Sequence, residues 1–301
     1  SEHFFFGKKG SVFLKHKRSE INKKIIHLIL SCDPLDYTTS EVQISETLKL
    51  YSLMRRRIPF VIRGGARQMK LFKTWDFEYF LNKFGHVQQP TFTNSVEPSK
   101  VRKIKLREII TEIKNGNKDV NLLFGNLIYY QKELQAFMND FFFKSNIRYK
   151  RGLLKTDHFF MSAKGTFTNT HAELGDNFFI QVRGKKKWRI YEPALSPIFM
   201  PQIEKRFYLN ADLKYADLTK TGLLKLPHYE VTLEEGDVLY NPSLHWHYVE
   251  TLEDSISISS RWSNPFNVLR HPFLFLILST ATDPSVIYQL MNPDNTNPKD
   301  L

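Results

Sequence analysis

The second half of the chain alternates short apolar runs with turn residues, and this pattern limits the folds that are open to it. The runs are short for helices and carry many aromatic and β-branched residues, which favours strands. Many short strands separated by turns are typical of a β-sandwich or barrel. From Gly152 onward the predicted strands include residues 159–161, 177–183, 188–191, 238–240 and 256–260.

The first half of the chain has a more helical character. Residues 22–54 are mainly helical in pattern, so residues 1–54 are predicted to form an N-terminal helical region. Residues 59–65 predict a strand that enters a tight turn, and residues 75–84 predict a helix that Gly85 ends. The mixed apolar and basic segment 101–107 suits either a half-exposed strand or the start of a helix, and the sequence leaves both open.

A C-terminal helical region and tail is predicted at residues 266–301. Its apolar segments, residues 273–278 and 286–291, would either cover the β-rich core or pair with another subunit, so a homodimer is one expectation. The chain then divides into the N-terminal region 1–54, a core domain at 55–265 and the C-terminal region.

The charge of the chain bears on its partners. Lysine and arginine number 43 against 31 aspartates and glutamates, which gives a net charge of +12 and favours polyanions or acidic protein surfaces. Solubility combined with compositional bias is the alternative explanation. The single cysteine, Cys32, cannot form an internal disulfide, and no apolar run approaches the roughly 18 to 20 residues of a membrane span. We therefore expect an intracellular protein, cytoplasmic or nuclear, without a membrane segment.

Two segments carry side chains that bind metals. His171 and Glu173 are two residues apart, so both side chains leave the same face if their segment is a strand. A third ligand is available in residues 236–247, where His245 and His247 are both candidates. Two histidines and one carboxylate form the facial triad of non-haem iron(II) oxygenases, which leaves coordination positions open for a cosubstrate and dioxygen.

The surroundings of these ligands resemble a known family. Residues 165–191, Gly-Thr-Phe-Thr-Asn-Thr-His-Ala-Glu through to Lys-Trp-Arg-Ile-Tyr, resemble the first metal-binding motif of jumonji C oxygenases, and residues 236–250 resemble the second. In that family the second histidine falls five residues after the proline of the second motif, which selects His247 over His245. The resemblance implies a double-stranded β-helix core of the jelly-roll or cupin type, mostly β with flanking helices. It also implies iron(II), 2-oxoglutarate as cosubstrate and dioxygen.

The resemblance further implies residues that hold 2-oxoglutarate. A carboxylate inside a barrel needs a cation, and Lys186 aligns with the lysine that fills this role in asparaginyl hydroxylase-like members. In a strand, positions 186, 188 and 190 share a face, and because Trp188 and Ile190 are apolar that face should point inward. Thr168 and Asn177 match the hydroxyl and amide partners of the cosubstrate in the same members.

The chain also departs from the family pattern. Glu173 stands where many hydroxylases have aspartate, and Ser260 lies near a position that asparagine often occupies. Some relatives contact the cosubstrate with a tyrosine from an earlier strand. Leu123, Phe124 and Tyr129 lie in that region, and the sequence assigns the role to none of them.

Three reactions are compatible with these features. Protein side-chain hydroxylation is favoured, because the chain is compact and shows no chromatin-reader or zinc-binding segment. Demethylation of N-methyl-lysine draws support from Glu173, since some histone demethylases have glutamate there. Hydroxylation of an RNA base draws support from the basic segments 55–57, 102–107, 148–151 and 183–189. A non-catalytic cupin is the remaining alternative, and the presence of all three ligands and Lys186 argues against it.

Overall fold

The structure is a computed structural model, and no helix in the part that it describes is long and apolar enough to span a membrane. The predicted helices at 273–278 and 286–291 lie outside the described residues. The described residues are 36–43, 46–92, 101–139, 153–199, 208–211 and 222–263, with the isolated positions Lys24, His27, Ser31, Phe141 and His271.

Strands make up most of the ordered framework of the described residues. In chain order they are β1 (Asp36–Thr38), β2 (Ser40–Glu41), β3 (Phe60–Ile62), β4 (Gln88–Phe92), β5 (Val101–Lys105), β6 (Leu122–Gly125), β7 (Leu153–Ser162), β8 (Phe167–Glu173), β9 (Asp176–Arg183), β10 (Lys186–Tyr191), β11 (Tyr208–Asn210), β12 (His228–Leu233), β13 (Val238–Asn241), β14 (Trp246–Thr251) and β15 (Ser255–Ser263). The five predicted strands are confirmed, and each lies within one of these strands.

The strands form two large sheets and a separate hairpin of β4 and β5. The first, here called the site sheet, has the order β1-β12-β10-β14-β8-β11, and the second, the back sheet, has the order β2-β3-β13-β9-β15-β7-β6. Most strands that follow one another in the sequence are not adjacent in a sheet, because the chain crosses repeatedly between the two layers. Two mostly antiparallel sheets joined in this way form a jelly roll. The predicted cupin-type core with flanking helices is therefore confirmed.

The helices flank this core. They are α1 (Thr47–Arg56), α2 (Lys70–Thr74), α3 (Phe77–Phe84), α4 (Leu106–Lys114), α5 (Leu127–Tyr130), α6 (Lys132–Asn139) and α7 (Ser196–Phe199). For the segment 101–107 both alternatives hold in turn, since β5 ends at Lys105 and α4 begins at the next residue.

The N-terminal region is only partly helical where the structure describes it. Before the helical stretch that the sequence predicts from Val42, β1 and β2 pair in parallel with β12 and β3 at the edges of the two sheets. Directly after β2, the Val42 N–H donates to the Val61 carbonyl at 2.9 Å. Sheet edges present unpaired backbone groups, and pairing with them outweighs a weak helical periodicity.

Three buried apolar clusters separate the layers. The cluster between the sheets contains Phe179 of the back sheet and Trp188 of the site sheet, whose ring centroids are 4.7 Å apart. The largest cluster lies between the back sheet and the helices, where Trp75 contacts Phe159 edge to face. The third covers the outer face of the site sheet around Trp246. The space between the sheets is thus lined by inward side chains from both layers.

Helix α3 shows how local chemistry sets an element boundary. The predicted helix at 75–84 begins two residues later, at Phe77, because the Asp76 carboxylate accepts the Tyr79 N–H at 2.7 Å and caps the helix. We expect Asp76→Ala to lower the free energy of unfolding by about 1 kcal/mol in chemical denaturation. Asp76→Asn retains a capping oxygen and should retain most of the stability, and equal losses in both variants would contradict a capping role.

Candidate metal centre

His171, Glu173 and His247 meet in the space between the two sheets. His171 and Glu173 lie on β8, and His247 lies on the neighbouring strand β14, directly opposite His171. One ligating atom from each residue lies within 4.8 Å of the others, and the two imidazole centroids are 4.1 Å apart. All three side chains are buried. The structure therefore brings together the three residues predicted as metal ligands.

Both histidines have one ring nitrogen engaged by the backbone. The Nδ1 of His171 lies 2.8 Å from the Asn169 carbonyl, and the Nδ1 of His247 lies 3.0 Å from the His245 carbonyl. A carbonyl only accepts hydrogen bonds, so an Nδ1 that bonds to it carries the proton and donates it. The Asn241 amide also lies 3.2 Å from the Nδ1 of His247, and it fits the same tautomer when its oxygen faces the ring. This tautomer leaves the Nε2 lone pair of each ring available to a metal ion.

Burial keeps His247 in the form that binds metals. It lowers the pKa of His247 to about 3, so the imidazole is neutral at pH 7. Trp188 stacks on the same ring, with centroids 5.2 Å apart and an interplanar angle of 17°. The indole fixes the plane of the imidazole and covers it from water.

Glu173 is held in its ionised form by its neighbours. Burial by itself raises the pKa of a carboxyl group, but Arg261 together with His171 and His247 outweighs this effect and holds the pKa of Glu173 well below its ordinary value. The Nη2 of Arg261 lies 2.9 Å from Oε1 of Glu173, and the Nε2 of His171 lies 3.5 Å from the same oxygen. The candidate centre thus offers two imidazoles and one carboxylate anion.

The loop before His247 is fixed by a buried arginine. Arg57 ends α1 in the left-handed conformation, with φ at 60°, and its Nη2 donates to the carbonyl and the hydroxyl of Ser243. The Asp176 carboxylate accepts the Ser243 N–H at 3.1 Å. Leu244 also has positive φ, at 64°, a strained conformation that persists because its surroundings impose it. These contacts set the direction in which β14 starts and hence where His247 points.

Lys186 lies on the inward face of β10, as predicted. It is buried with Trp188 and Ile190, whereas Lys185 and Lys187 on the other face pair with surface carboxylates. Its Nζ donates to the Ser162 hydroxyl at 3.3 Å, and within the described residues it has no acidic partner. Burial lowers the pKa of Lys186 to about 7. A buried amine without an acidic partner in the described residues favours an anionic ligand.

Asn177 presents a second polar group to the same interior. It is buried on β9, and its Oδ1 accepts a hydrogen bond from the Ser259 hydroxyl at 2.8 Å. Its Nδ2 is buried and has no hydrogen-bond partner in the described part of the chain. An unsatisfied buried donor is costly, so this nitrogen is suited to an acceptor on a ligand.

Thr168 reaches the interior face through an irregularity in β8. It lies three positions before His171, so regular alternation would place the two on opposite faces. The register between β8 and β14 shifts, however, so that Thr168 lies opposite Val249 while His171 lies opposite His247. Because Val249 and His247 share a face, the bulge brings Thr168 to the face of the metal centre.

Other candidates from the sequence lie elsewhere. His245 is buried beside Ser243 and is not part of the metal-binding group. Tyr129 lies on α5, where its hydroxyl accepts the Asp157 N–H at 2.7 Å. Ser260 donates to the Asp157 carboxylate at 2.6 Å and not to the interior.

Sequence reasoning missed Arg261 and Ser259. The signal was present in β15, where Ser257, Ser259 and Arg261 alternate with apolar Ile256 and Ile258. The isoleucines belong to the cluster beneath the helices, so the polar residues line the opposite face.

The residues present fit the group that the sequence implies. Two imidazoles and a carboxylate on one side suit iron(II) and leave coordination positions open. Lys186 and the Asn177 Nδ2 supply a cation and a donor, as the carboxylate of a cosubstrate requires.

The fold and the site together define a cupin with a candidate two-histidine, one-carboxylate metal centre. A family model described as a cupin-like domain matches residues 46–268, and the chain belongs to that family. Jumonji C oxygenases in this family typically use iron(II) and 2-oxoglutarate. The resemblance drawn from residues 165–191 and 236–250 is confirmed at the level of the family.

Curated relatives carry names from several branches of the family. The chain is 32% identical over 102 residues to JmjC domain-containing protein D of Dictyostelium discoideum, covering 33% of this chain and 23% of the relative. It is 32% identical over 116 residues to Lysine-specific demethylase JMJ30 of Arabidopsis thaliana, covering 38% and 27%. It is 26% identical over 195 residues to tRNA wybutosine-synthesizing protein 5 of Gallus gallus, covering 64% and 56%. The matches span about a quarter of the first two relatives and just over half of the third.

Proposed function

We propose that this chain is an iron(II)- and 2-oxoglutarate-dependent oxygenase whose metal ion is held by His171, Glu173 and His247. The observation that carries the proposal is the buried group of three ligating side chains, in which both histidines donate from Nδ1 to backbone carbonyls. An arrangement that fixes both tautomers for metal binding is more specific than a chance cluster of polar residues. The family match supports the same chemistry.

The chain's own residues prepare the site for an oxidation that the cofactors supply. When bound, iron(II) and 2-oxoglutarate consume dioxygen, release carbon dioxide and succinate, and transfer one oxygen atom to the substrate. His171, Glu173 and His247 would hold the ion and leave coordination positions open for the cosubstrate and dioxygen. Phe179 and Trp188 exclude water from the interior between the sheets.

We assign the cosubstrate pocket to Lys186, Asn177 and Thr168. Protonated Lys186 would pair with the distal carboxylate, and the Nδ2 of Asn177 and the Thr168 hydroxyl would donate to it. The burial of the amine without an acidic partner in the described residues supports this assignment.

For the substrate we propose a protein side chain that becomes hydroxylated. The sequence favours this substrate class, because it shows no chromatin-reader or zinc-binding segment. A relative named as a lysine-specific demethylase supports a protein substrate, and it also keeps demethylation as an alternative outcome.

Oxidation of an RNA base is the second candidate. A relative named tRNA wybutosine-synthesizing protein 5 aligns with 64% of this chain, and the net charge of +12 favours a polyanion. Binding through phosphates would weaken steeply as salt is raised, whereas recognition of a peptide would depend less on salt.

We also retain the proposed division of the chain into regions 1–54, 55–265 and 266–301. The family match to residues 46–268 supports a single oxygenase domain across the middle region. A homodimer formed through the C-terminal region, and a cytoplasmic or nuclear location, remain predictions.

The test is formation of succinate from 2-oxoglutarate with iron(II) and ascorbate, across a panel of peptides and tRNA. We expect wild-type turnover with one substrate class and a loss of at least about a hundredfold in both His171→Ala and Lys186→Ala. The class of the productive substrate separates the two candidates. Absence of turnover together with absence of metal-dependent 2-oxoglutarate binding would favour a non-catalytic cupin.

A further inference from the structure

One ion pair and two hydrogen bonds join the two halves of the candidate site. Arg261 contacts the Glu173 carboxylate through Nη2 at 2.9 Å and donates from Nε to the Ser259 hydroxyl at 2.7 Å. Ser259 in turn donates to the Oδ1 of Asn177 at 2.8 Å. We call Arg261, Ser259 and Asn177 the relay. It connects the carboxylate of the metal centre to the amide of the cosubstrate pocket.

The direction of each hydrogen bond in the relay follows from the chemistry of arginine. A guanidinium only donates, so the Ser259 oxygen must accept from Arg261. Ser259 is fully buried, and the acceptor that its own proton meets among the described contacts is the Oδ1 of Asn177. An amide that presents its oxygen to Ser259 must present its nitrogen on the other side. The buried Nδ2 that lacks a partner in the described residues is therefore turned toward the interior.

The reversed amide would be doubly unfavourable. If Asn177 turned its Nδ2 toward Ser259, the serine proton would lose its acceptor and the Oδ1 would face the anionic ligand. Each change leaves a buried polar group unsatisfied, at a cost of about 1 to 3 kcal/mol. Without the relay, the two amide orientations would differ much less in energy.

We infer that Arg261 and Ser259 are positioning residues that set the Asn177 amide as a hydrogen-bond donor to the carboxylate of the cosubstrate. The inference rests on the proposed function, because it explains why the Asn177 amide turns its nitrogen, a hydrogen-bond donor, toward the cosubstrate. The same arginine holds the carboxylate ligand Glu173, so one side chain orders both the metal-binding and the cosubstrate-binding parts of the interior.

The first test compares Ser259→Ala with Ser257→Ala by calorimetric titration of 2-oxoglutarate into the full chain loaded with zinc(II), which is redox-inert. Ser257 is an apt control, because it is also fully buried on β15 and also bonds an amide oxygen, that of Gln181 at 3.1 Å. We expect Ser259→Ala to raise the Kd for 2-oxoglutarate about five- to tenfold and Ser257→Ala to change it less than twofold. Zinc(II) affinity without 2-oxoglutarate should stay within twofold in both.

A double-mutant cycle separates orientation of the amide from general disruption of the pocket. If Ser259 acts through Asn177, the Ser259→Ala change should have no further effect on 2-oxoglutarate binding in an Asn177→Ala background. A structural role would instead lower affinity by the same factor in both backgrounds. In turnover assays the KM for 2-oxoglutarate should rise in Ser259→Ala while kcat is retained.

Arg261→Lys tests the start of the relay. Lysine retains a cation beside Glu173 but lacks the fork that reaches two acceptors at once, so the Ser259 contact should be lost. We expect 2-oxoglutarate binding to weaken several-fold while zinc(II) affinity remains within about threefold.

The outcomes distinguish the inference from the proposed function. If the wild type shows no zinc-dependent binding of 2-oxoglutarate, the proposed function itself fails. If the wild type binds and Ser259→Ala binds equally well, or if the two substitutions are additive, only the relay is overturned.

Discussion

His247→Ala is expected to abolish metal-dependent turnover of 2-oxoglutarate, with a loss of at least about a thousandfold, whereas His245→Ala should retain most of it. The two histidines form a matched pair, because both are buried, they flank the first residue of β14 and burial lowers the pKa of each to about 3. They differ in direction, since His247 meets His171 across the strand pair and His245 bonds back to Ser243. Loss of a metal ligand weakens binding of the ion. His247→Ala should therefore lose both zinc(II) binding and turnover, whereas His245→Ala should lose neither.

The measurement combines zinc(II) calorimetry, succinate formation and thermal unfolding of both variants. Thermal unfolding is the control for folding, since each substitution leaves a cavity. Equal loss of zinc(II) binding in two folded variants would mean that the loop, and not His247, determines the site. Retention of zinc(II) by His247→Ala would remove this residue from the proposed ligand set.

The sequence predicted the site best where the chemistry depends on spacing along one strand. His171 and Glu173 share a face of β8 because they are two positions apart, and the inward direction of Lys186 followed from its apolar neighbours on β10. These inferences need only the rule that successive side chains of a strand point to opposite faces of the sheet. The choice of His247 over His245 needed the resemblance to the family, because both histidines are equally spaced for an inward position.

Features that depend on contacts between distant segments could not be predicted from the sequence. Alternation alone would have turned Thr168 away from His171, and only the shifted register between β8 and β14 returns it. Arg261 lies far from Glu173 in the chain, and its role appears only when β15 and β8 face each other across the interior. The edge strands β1 and β2 were missed for a related reason, since their pairing partners lie far along the chain.

Lys186→Met should abolish 2-oxoglutarate binding and at the same time stabilise the unliganded protein. Burial lowers the pKa of Lys186 from an ordinary value of 10.5 to about 7. Between these values the unfolded chain holds a proton that the folded chain lacks, so this lysine makes the free energy of unfolding rise with pH from about 7 to 10.5. The full cost of the buried charge is therefore present below pH 7.

Methionine has a similar length and removes that cost. We expect Lys186→Met to raise the free energy of unfolding at pH 7 by about 2 kcal/mol in urea titrations, and by less at pH 10.

The wild type should lose 2-oxoglutarate affinity as pH rises above about 7, up to tenfold per pH unit, because the ligand requires protonated Lys186. Lys186→Arg stays charged throughout and should show no such dependence, whatever its absolute affinity. A variant that is more stable yet binds no cosubstrate would identify Lys186 as a residue retained for ligand binding at the expense of the fold. Unchanged 2-oxoglutarate affinity in Lys186→Met would instead require another cation for the cosubstrate.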